Sequence, residues 1–305
     1  MIDNRLEYDI NGFQSEKQVK ELLRSCFGDD EQSKEYFLRG FKSTMKICSI
    51  SVTYNKDLVG MAVAWKSVFH PHCTYISIAA KPLYIVDLHK LLEQLQYYCD
   101  DMLPLQTSIW ETSLKLKNFY ESTGFREVRR TYNSLLDLSS VADLSVIVNE
   151  LQLKHDEYSV VSLSDISCNN ELKEEIVMLI KKTYESTHTI NPLGVHDLNK
   201  WEQLIYNEDT FLEGSYIIVY KSNVLAFSLL HYSDDMNKLE FGWRGTKNGI
   251  DENLILLLTA YQIHFAKTRA YKAIEAEIDN TDPYSVAMAS FFPFSPSPTL
   301  ITFQR

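Results

Sequence analysis

Residues 119–125 read FYESTGF, and this short stretch predicts the end of a helix followed at once by a strand. Gly124 can adopt the left-handed conformation that closes many helices. From Phe125 the run FREVRRTYNSLLDL (125–138) alternates and ends in apolar residues, as a strand does. Tyr120 therefore lies one helical turn before the stop, where a helix can hold a phenol at the edge of a sheet.

The sequence before this junction predicts a strand, two helices, three strands, a helix and a strand. In the same way, the residues after position 156 predict a strand, a helix, three strands, a long helix, a strand, a short helix and a last strand, with a polar, Trp-containing segment after the first helix. The turns Asn55–Lys56–Asp57 and Lys221–Ser222–Asn223 mark a hairpin in each half. The stretches used are RLEYDI (5–10), QSEKQVKELLRSCF (14–27), DDEQSKEYFLRGF (29–41), MKICSISVTYNKDLVGMAVAWKSV (45–68), CTYISIAA (73–80), VDLHKLLEQLQYYCDDM (86–102), LQTSIWE (105–111), SLKLKNFYES (113–122), EYSVVSLSD (157–165), NNELKEEIVMLIKKTYEST (169–187), GSYIIVYKSNVLAFSLLHYS (214–233), LEFGWRGT (239–246), DENLILLLTAYQIHFAKTRA (251–270), AIEAEID (273–279), PYSVAMASFF (283–292) and TLITF (299–303).

One order of elements thus occurs twice, at about 150 residues per copy, which is a usual domain size. We predict an N-terminal domain at residues 1–140 and a C-terminal domain at residues 156–305. The connecting segment 141–155 lacks Gly and Pro and carries apolar residues, so we expect a linker that packs.

Three segments resemble motifs of the GCN5-related N-acetyltransferase (GNAT) superfamily. LKLKNFYESTGF (114–125) is similar to its late helix with a Tyr-x-x-x-Gly-Phe ending, and LEFGWRGT (239–246) to its fourth strand. EIDNTDPYSVAMASFFPF (277–294) is similar to its fifth strand and the start of its late helix, with Phe-Pro-Phe where Leu-Gly-Phe is usual. The resemblance implies a mixed α/β fold of two tandem GNAT-like domains, each a mostly antiparallel twisted sheet flanked by helices.

The resemblance also implies an acetyl-CoA site at the loop after each fourth strand. Backbone N–H groups at a helix start favour a pyrophosphate there, and glycines let the backbone come close. In the first half this loop reads AAKPLYIVDLHKLL (79–92). Residues 83–86 are bulky, and Pro82 has no backbone N–H to donate. Asp87 adds a negative charge near the helix start. We therefore expect the first half not to hold CoA in the family manner.

In the second half, the loop W-R-G-T-K-N-G-I-D (243–251) fits the family pattern better but is about five residues short. Lys247 could bind a phosphate. Asp251 and Glu252 would oppose one, and Asn248 or Asp251 could instead cap a helix. The cofactor-binding residues that the resemblance implies are Trp243, Gly245, Thr246, Lys247, Asn248, Gly249, Ile250 and Asn280.

The resemblance implies a base for the amine and a general acid for the leaving thiolate. Tyr120 occupies the family's tyrosine position in the first half, whereas Ala289 stands there in the second. Tyr284, at the start of that late helix, is a substitute, and Glu240 on the presumed fourth strand is the candidate base. Each also has a plainer interpretation: Tyr120 as sheet packing, Glu240 as an outward-facing strand residue and Asn280 as a turn residue.

The formal charge of −11 makes nucleic acid a poor partner and mildly favours a cationic amine. Five irregularly spaced cysteines indicate neither a zinc site nor disulfides and suit a reducing cytoplasm. The pair His70 and His72 lacks further ligands, so we expect no metal. No apolar run reaches membrane-spanning length.

The first functional hypothesis is an acyl-CoA-dependent N-acetyltransferase, whose second domain binds acetyl-CoA and whose amine acceptor, a small molecule or peptide, attacks the thioester directly. The second hypothesis is a degenerate tandem GNAT protein that binds a ligand or partner without catalysis. A third is a relative of the tandem folds that take aminoacyl-tRNA, which the charge and the lack of a basic patch disfavour.

Overall fold

A computed structural model describes residues 6–82, 86–142, 144–145, 148–149, 157–248, 250–251 and 253–305. It divides into two compact units. The first unit comprises Met1–Arg129, Asn191–Gly194 and Leu300–Arg305, and the second comprises Arg130–Ile190 and Val195–Thr299. Among the described residues, no helix is both long and apolar enough to cross a membrane.

The first half of the chain forms the predicted elements in the predicted order. They are β1 (Glu7–Ile10), α1 (Glu16–Phe27), α2 (Glu31–Lys42), β2 (Lys46–Tyr54), β3 (Asp57–Trp65), β4 (Thr74–Ala80), α3 (Leu88–Tyr97), β5 (Leu105–Trp110), α4 (Leu114–Ser122) and β6 (Arg126–Asp137).

The second half repeats this order element for element. Its elements are β7 (Ser159–Ser162), α5 (Asn170–Thr187), α6 (Leu198–Ile205), β8 (Tyr216–Tyr220), β9 (Asn223–Tyr232), β10 (Lys238–Thr246), α7 (Leu254–Thr268), β11 (Ala273–Asp279), α8 (Pro283–Phe291) and β12 (Thr299–Gln304).

The junction FYESTGF folds as its sequence predicts. Helix α4 ends at Ser122, and Gly124 has a φ of +87°. The Phe125 N–H donates to the Tyr120 carbonyl at 3.0 Å, which reverses the chain into β6. The two predicted hairpin turns are also confirmed, with positive φ at Asn55 and Lys56 and at Lys221 and Ser222.

Each unit contains one mixed sheet with helices on both faces, as predicted. The strand order is β1-β2-β3-β4-β5-β12 in the first unit and β6-β11-β10-β9-β8-β7 in the second. The parallel neighbours are β4 with β5 and β10 with β11, whereas the other pairs whose register is known are antiparallel.

The two sequence halves exchange their last strands. Strand β12 pairs with β5 of the first unit, from Leu300 opposite Trp110 to Gln304 opposite Gln106. Strand β6 pairs with β11 of the second unit along residues 131–137. The units therefore differ from the predicted domains 1–140 and 156–305 in these strands and in residues 191–194. Most of the predicted linker, at 143, 146–147 and 150–155, lies outside the described residues.

Helix α6, the counterpart of α2, lies in the segment that was predicted only as polar. Asp197 caps it by accepting a hydrogen bond from the Lys200 N–H at 2.8 Å. Trp201, on its inner face, is fully buried and packs edge-on against Tyr184 of α5. Ile205, one helical turn later, is also fully buried, so Trp201 and Ile205 together pack this helix against the second unit.

Candidate functional site

In both units the two parallel strands separate partway along their length. Strands β4 and β5 pair only at Thr74 with Leu105 and at Tyr75 with Gln106, and β4 continues to residue 80. Strands β10 and β11 pair from Lys238 with Ala273 to residues 241 and 276. Each sheet therefore has a V-shaped opening with unpaired backbone along its sides.

The opening in the first unit continues into a cleft of about 360 Å³. Its walls come from the end of α1, the end of β4 and the starts of α3 and α4. They are mostly apolar: Cys26, Phe27, Ile78, Ala79, Ala80, Pro82, Leu88, Thr112, Ser113, Leu114, Lys115 and Leu116. This cleft lies in the half in which the sequence led us to expect no cofactor site.

The charges around the first cleft have both signs. Lys115 lies in its wall. Burial raises the pKa of the Cys26 thiol to about 12, and the positive charges of Lys81 and Lys115 both act to lower that pKa. The two ammonium groups therefore lie near the same wall. At the start of α3 the Asp87 carboxylate accepts a hydrogen bond from the Lys90 N–H at 3.1 Å. It therefore occupies one of the backbone N–H groups that a bound anion would need at this helix N-terminus. The bulky residues 83–85 lie outside the described residues.

Tyr120 is buried in the core and does not line the first cleft. It follows Leu116 of the cleft wall by one helical turn on the same face of α4. Burial raises the pKa of Tyr120, which is 1% exposed, and a hydrogen bond with the Thr107 side chain opposes that rise. The phenol is thus protonated at neutral pH and can donate a proton but cannot act as a base.

The opening in the second unit is bridged by the protein's own side chains. Arg244 of β10 is only 3% exposed, and its guanidinium donates to the Gly242 carbonyl at 3.0 Å and to the thioether of Met288 on α8. Burial lowers the pKa of Arg244 to about 10, although the negative charge of Asp282 acts to raise it. The Tyr284 hydroxyl donates to the Thr246 carbonyl at 3.5 Å, a second link between α8 and β10.

The loop after β10 is largely engaged within the protein. The Lys247 N–H donates to the Leu225 carbonyl at 2.7 Å, and the Ile250 N–H to the Lys247 carbonyl at 3.1 Å. The Lys247 ammonium lies 3.4 Å from the Glu175 carboxylate. Asn248 is exposed, and Gly249 and Glu252 lie outside the described residues. Two of the N–H groups expected to bind a pyrophosphate are thus already bonded, so this loop fits CoA poorly.

The remaining predicted cofactor residues of the second unit have structural contacts. Gly245 is required because a Cβ there would meet the Thr183 methyl at 2.4 Å. Trp243 packs with Tyr184 and Trp201 at centroid distances of 5.1 and 5.7 Å. Asn280 extends the β6–β11 pairing, because its N–H donates to the residue 130 carbonyl and its side chain accepts from the residue 130 N–H, both at 2.9 Å.

Glu240 lies between a histidine and a carboxylate on the neighbouring strands. Its register partners are His231 on β9 and Glu275 on β11. Burial raises the pKa of Glu240, and the charges of Glu277, Glu275 and Asp234 raise it further. The His231 ring lies against Gly242, where a Cβ would meet its Nε2 at 2.2 Å. The structure thus brings Glu240 and His231 together, while Tyr120 belongs to the first unit.

The raised pKa of Glu240 leads us to expect that ionisation of this carboxyl lowers the stability of the fold. A carboxyl whose pKa is higher in the folded state than in the unfolded state destabilises the protein once it ionises. We expect Glu240→Gln to raise the melting temperature slightly at pH 7.5, with the gain disappearing as the pH falls below about 4.5. Melting curves of both proteins at pH 4 and pH 7.5 measure this. Glu185→Gln, which removes an exposed carboxylate paired with Lys181, is the control and should not be stabilising at pH 7.5. A Glu240→Gln variant that melts lower at pH 7.5 would contradict the prediction.

Metal binding gains no support from the geometry. His70 Nδ1 lies 2.8 Å from the Asn191 carbonyl, and His72 Nε2 lies 3.3 Å from the Leu193 carbonyl. Neither contact gathers ligands around an ion. Across the described ranges, no group of three His, Cys, Asp or Glu residues is arranged to hold one.

Sequence reasoning missed the groups that define the two openings. Lys115 and Thr107 were not singled out, although Lys115 follows the helix start and Thr107 lies on a predicted strand. Arg244 was not expected to be buried, because a charged residue in a strand is normally solvated. For Thr107 a signal existed, since strand alternation places it on the same face as Leu105 and Ile109.

Comparisons with known proteins identify the fold. No family model matches the sequence, and no curated protein sequence matches it. Among solved structures, the chain resembles a GCN5-related N-acetyltransferase from Sphaerobacter thermophilus, with a TM-score of 0.64 and 12% identity over 98% of this chain and 95% of that one. It also resembles a tandem GNAT protein from the clavulanic acid biosynthesis pathway, with a TM-score of 0.56 and 11% identity over 99% and 98%.

A third similar structure is the GCN5-related glucosamine N-acetyltransferase region of a fungal multi-domain GH3 β-N-acetylglucosaminidase. The TM-score is 0.69 at 10% identity, over 99% of this chain and 38% of that one. At these identities the likeness shows the fold alone. The predicted fold class, two tandem GNAT-like domains, is therefore confirmed.

Proposed function

We propose that this protein, which has the tandem GNAT fold, is an acyl-CoA-dependent N-acyltransferase whose acyl donor binds in the cleft of the first unit. The observation that carries the proposal is that cleft: it opens where β4 and β5 separate, whereas side chains bridge the corresponding opening of the second unit. We thus assign the donor to a different unit from the one that the sequence favoured.

The walls of the first cleft fit the chemistry of a CoA arm. Ile78, Ala79, Leu88 and Leu116 offer apolar surface to the alkyl and amide chain of pantetheine. Lys115 and the nearby Lys81 supply positive charge for the phosphates, a role that the helix start shares poorly because Asp87 occupies it. The lysines therefore replace the glycine-rich loop of the family pattern.

The donor supplies an activated acyl thioester. The amine nitrogen forms a bond to the carbonyl carbon while the carbon–sulfur bond breaks, and the thiolate must then gain a proton. Tyr120 is the candidate donor of that proton because it is protonated at neutral pH and lies one turn below Leu116. Among the described residues that line the cleft there is no carboxylate, and we propose that water takes the proton of the amine.

The acceptor class is the second part of the proposal. The formal charge of −11 favours an amine that is cationic in solution. One structure with a similar fold is a glucosamine N-acetyltransferase region, so glucosamine is a natural first acceptor to test, beside a diamine such as putrescine. Both are small primary amines, and they differ in charge and in hydroxyl content.

Calorimetric titration of acetyl-CoA into the protein tests the donor site. We expect micromolar binding to the parent protein and about 5- to 20-fold weaker binding to Lys115→Ala, as for the loss of one exposed charged hydrogen bond. Lys247→Ala is the matched control: it removes the same group from the second unit, where Glu175 already engages it, and should bind like the parent. Selective loss of binding in Lys247→Ala would move the donor to the second unit. No binding at millimolar acetyl-CoA would refute the proposal.

A further inference from the structure

The cleft of the first unit is lined from both faces of the sheet. Ile78 and Leu88 in its wall belong to, or pack against, the core that α3 and α4 cover. Ala79 and Phe27 in its wall belong to, or pack against, the core that α1 and α2 cover. The contacts proposed for pantetheine leave the end of α1 without a role.

Phe27 gives the end of α1 an aromatic surface. It is the last residue of that helix, and of the described residues that line the cleft it alone has an aromatic side chain. Its side chain is partly buried, because it packs against the core under α1. Beside it, a Cβ on Gly28 would meet nothing within 4 Å. A ring that is anchored by the core and has open space next to it can take a flat ligand ring.

Two positive charges lie close to this ring. Lys115 lines the cleft, and the charges of Lys81 and Lys115 both act on the thiol of Cys26, the residue before Phe27. Lysines that bind the pyrophosphate of CoA would therefore hold it near the end of α1. In CoA the adenosine is attached to the pyrophosphate at the end opposite to pantetheine, so the adenine comes to lie beside Phe27.

Adenine is the part of CoA that suits this surface. It is uncharged at neutral pH and has two flat faces, and stacking of a base on an aromatic side chain strengthens binding by about 5- to 150-fold. The acyl group is a poorer candidate for Phe27, because the whole pantetheine arm separates it from the pyrophosphate.

We infer that Phe27 stacks on the adenine ring of the acyl donor. This inference rests on the proposed function, because it needs CoA in the cleft. It assigns the nucleotide half of the donor to the α1 side of the cleft and the pantetheine half to the α3 and α4 side. A donor recognised in this way is a free acyl-CoA, rather than an acyl phosphopantetheine carried on a protein, which has no adenine.

Calorimetry with acetyl-CoA and with S-acetyl-phosphopantetheine, which lacks the adenosine, tests the stacking without an acceptor. Phe27→Leu keeps an apolar side chain and removes the ring. It should weaken acetyl-CoA binding by about 5- to 50-fold and change S-acetyl-phosphopantetheine binding by less than about twofold. Phe13→Leu is the matched control, since Phe13 is 91% exposed and does not line the cleft, and it should bind both ligands as the parent does.

A second variant decides if Phe27→Leu does not fold. Phe27→Trp keeps a ring at this position, and its added indole fluorescence should be quenched by acetyl-CoA and not by S-acetyl-phosphopantetheine. Equal quenching by the two ligands, or none by either at saturation, would overturn the inference.

The outcomes separate this inference from the proposed function. If acetyl-CoA does not bind the parent protein, the proposed function fails and the inference fails with it. If acetyl-CoA binds and Phe27→Leu keeps the parent affinity, the donor site stands and the stacking is refuted. If Phe27→Leu weakens both ligands alike, the ring contacts the pantetheine arm instead, and the inference is again overturned.

Discussion

Replacing Phe303 with alanine is expected to lower the free energy of unfolding of the first unit by about 3–5 kcal/mol. Phe303 is fully buried in the same core as Tyr120 and Phe125, although it is two residues from the end of the chain as given. It reaches that core because β12 pairs with β5. Removing the ring leaves a cavity in that core.

Hydrogen exchange read out by mass spectrometry measures this effect by segment. Exchange should accelerate in peptides from α3, β5 and α4, which belong to the first unit. Phe291→Ala is the control, since that phenylalanine on α8 is 47% exposed and its loss should cost under about 0.5 kcal/mol. Equal exchange in the two variants would show that β12 contributes little to the first unit.

Replacing Ala80 with tryptophan is expected to weaken acetyl-CoA binding by about 100-fold or more. Ala80 ends β4 and lies in the wall of the cleft, which is large enough to take an indole ring. The new side chain would fill the space proposed for the pantetheine arm while leaving the paired parts of the sheet intact. Calorimetry with acetyl-CoA measures the loss, and the melting temperature shows whether the fold is kept.

The control for this substitution is Ala142→Trp, which adds the same ring at an exposed position of the second unit. It should bind acetyl-CoA as the parent does. If Ala80→Trp folds and binds acetyl-CoA with unchanged affinity, the cleft of the first unit is not the donor site.

The order of elements was predictable because it depends on local signals. Helix α1, for example, begins at a capping box formed by Ser15 and Gln18, and the hairpins turn at residues with positive φ. Helix α6 was missed because it is only eight residues long, although Trp201 and Ile205 are spaced as on one face of a helix.

Local sequence signals did not predict the strand exchange. They also did not predict that the opening of the first unit is free and that of the second unit is bridged by side chains. Which strand pairs with β5 depends on the tertiary structure, because β6 and β12 both alternate and both follow a short helix. The filling of the second opening depends on the directions of two side chains, those of Arg244 and Tyr284. The sequence likewise placed Tyr120 correctly on its helix without revealing the cleft.

The exchanged strands reverse the order in which the units can be completed during synthesis. The second unit needs β6, which is made before any of its other strands, so all of its parts exist once residue 299 has been made. The first unit still lacks β12 at that point. The half of the sequence that is translated first therefore reaches its full sheet last, although domains generally fold in the order in which they are made. Until then, β5 has an open edge beside the proposed donor cleft, which is a position where a chaperone or another nascent strand could pair.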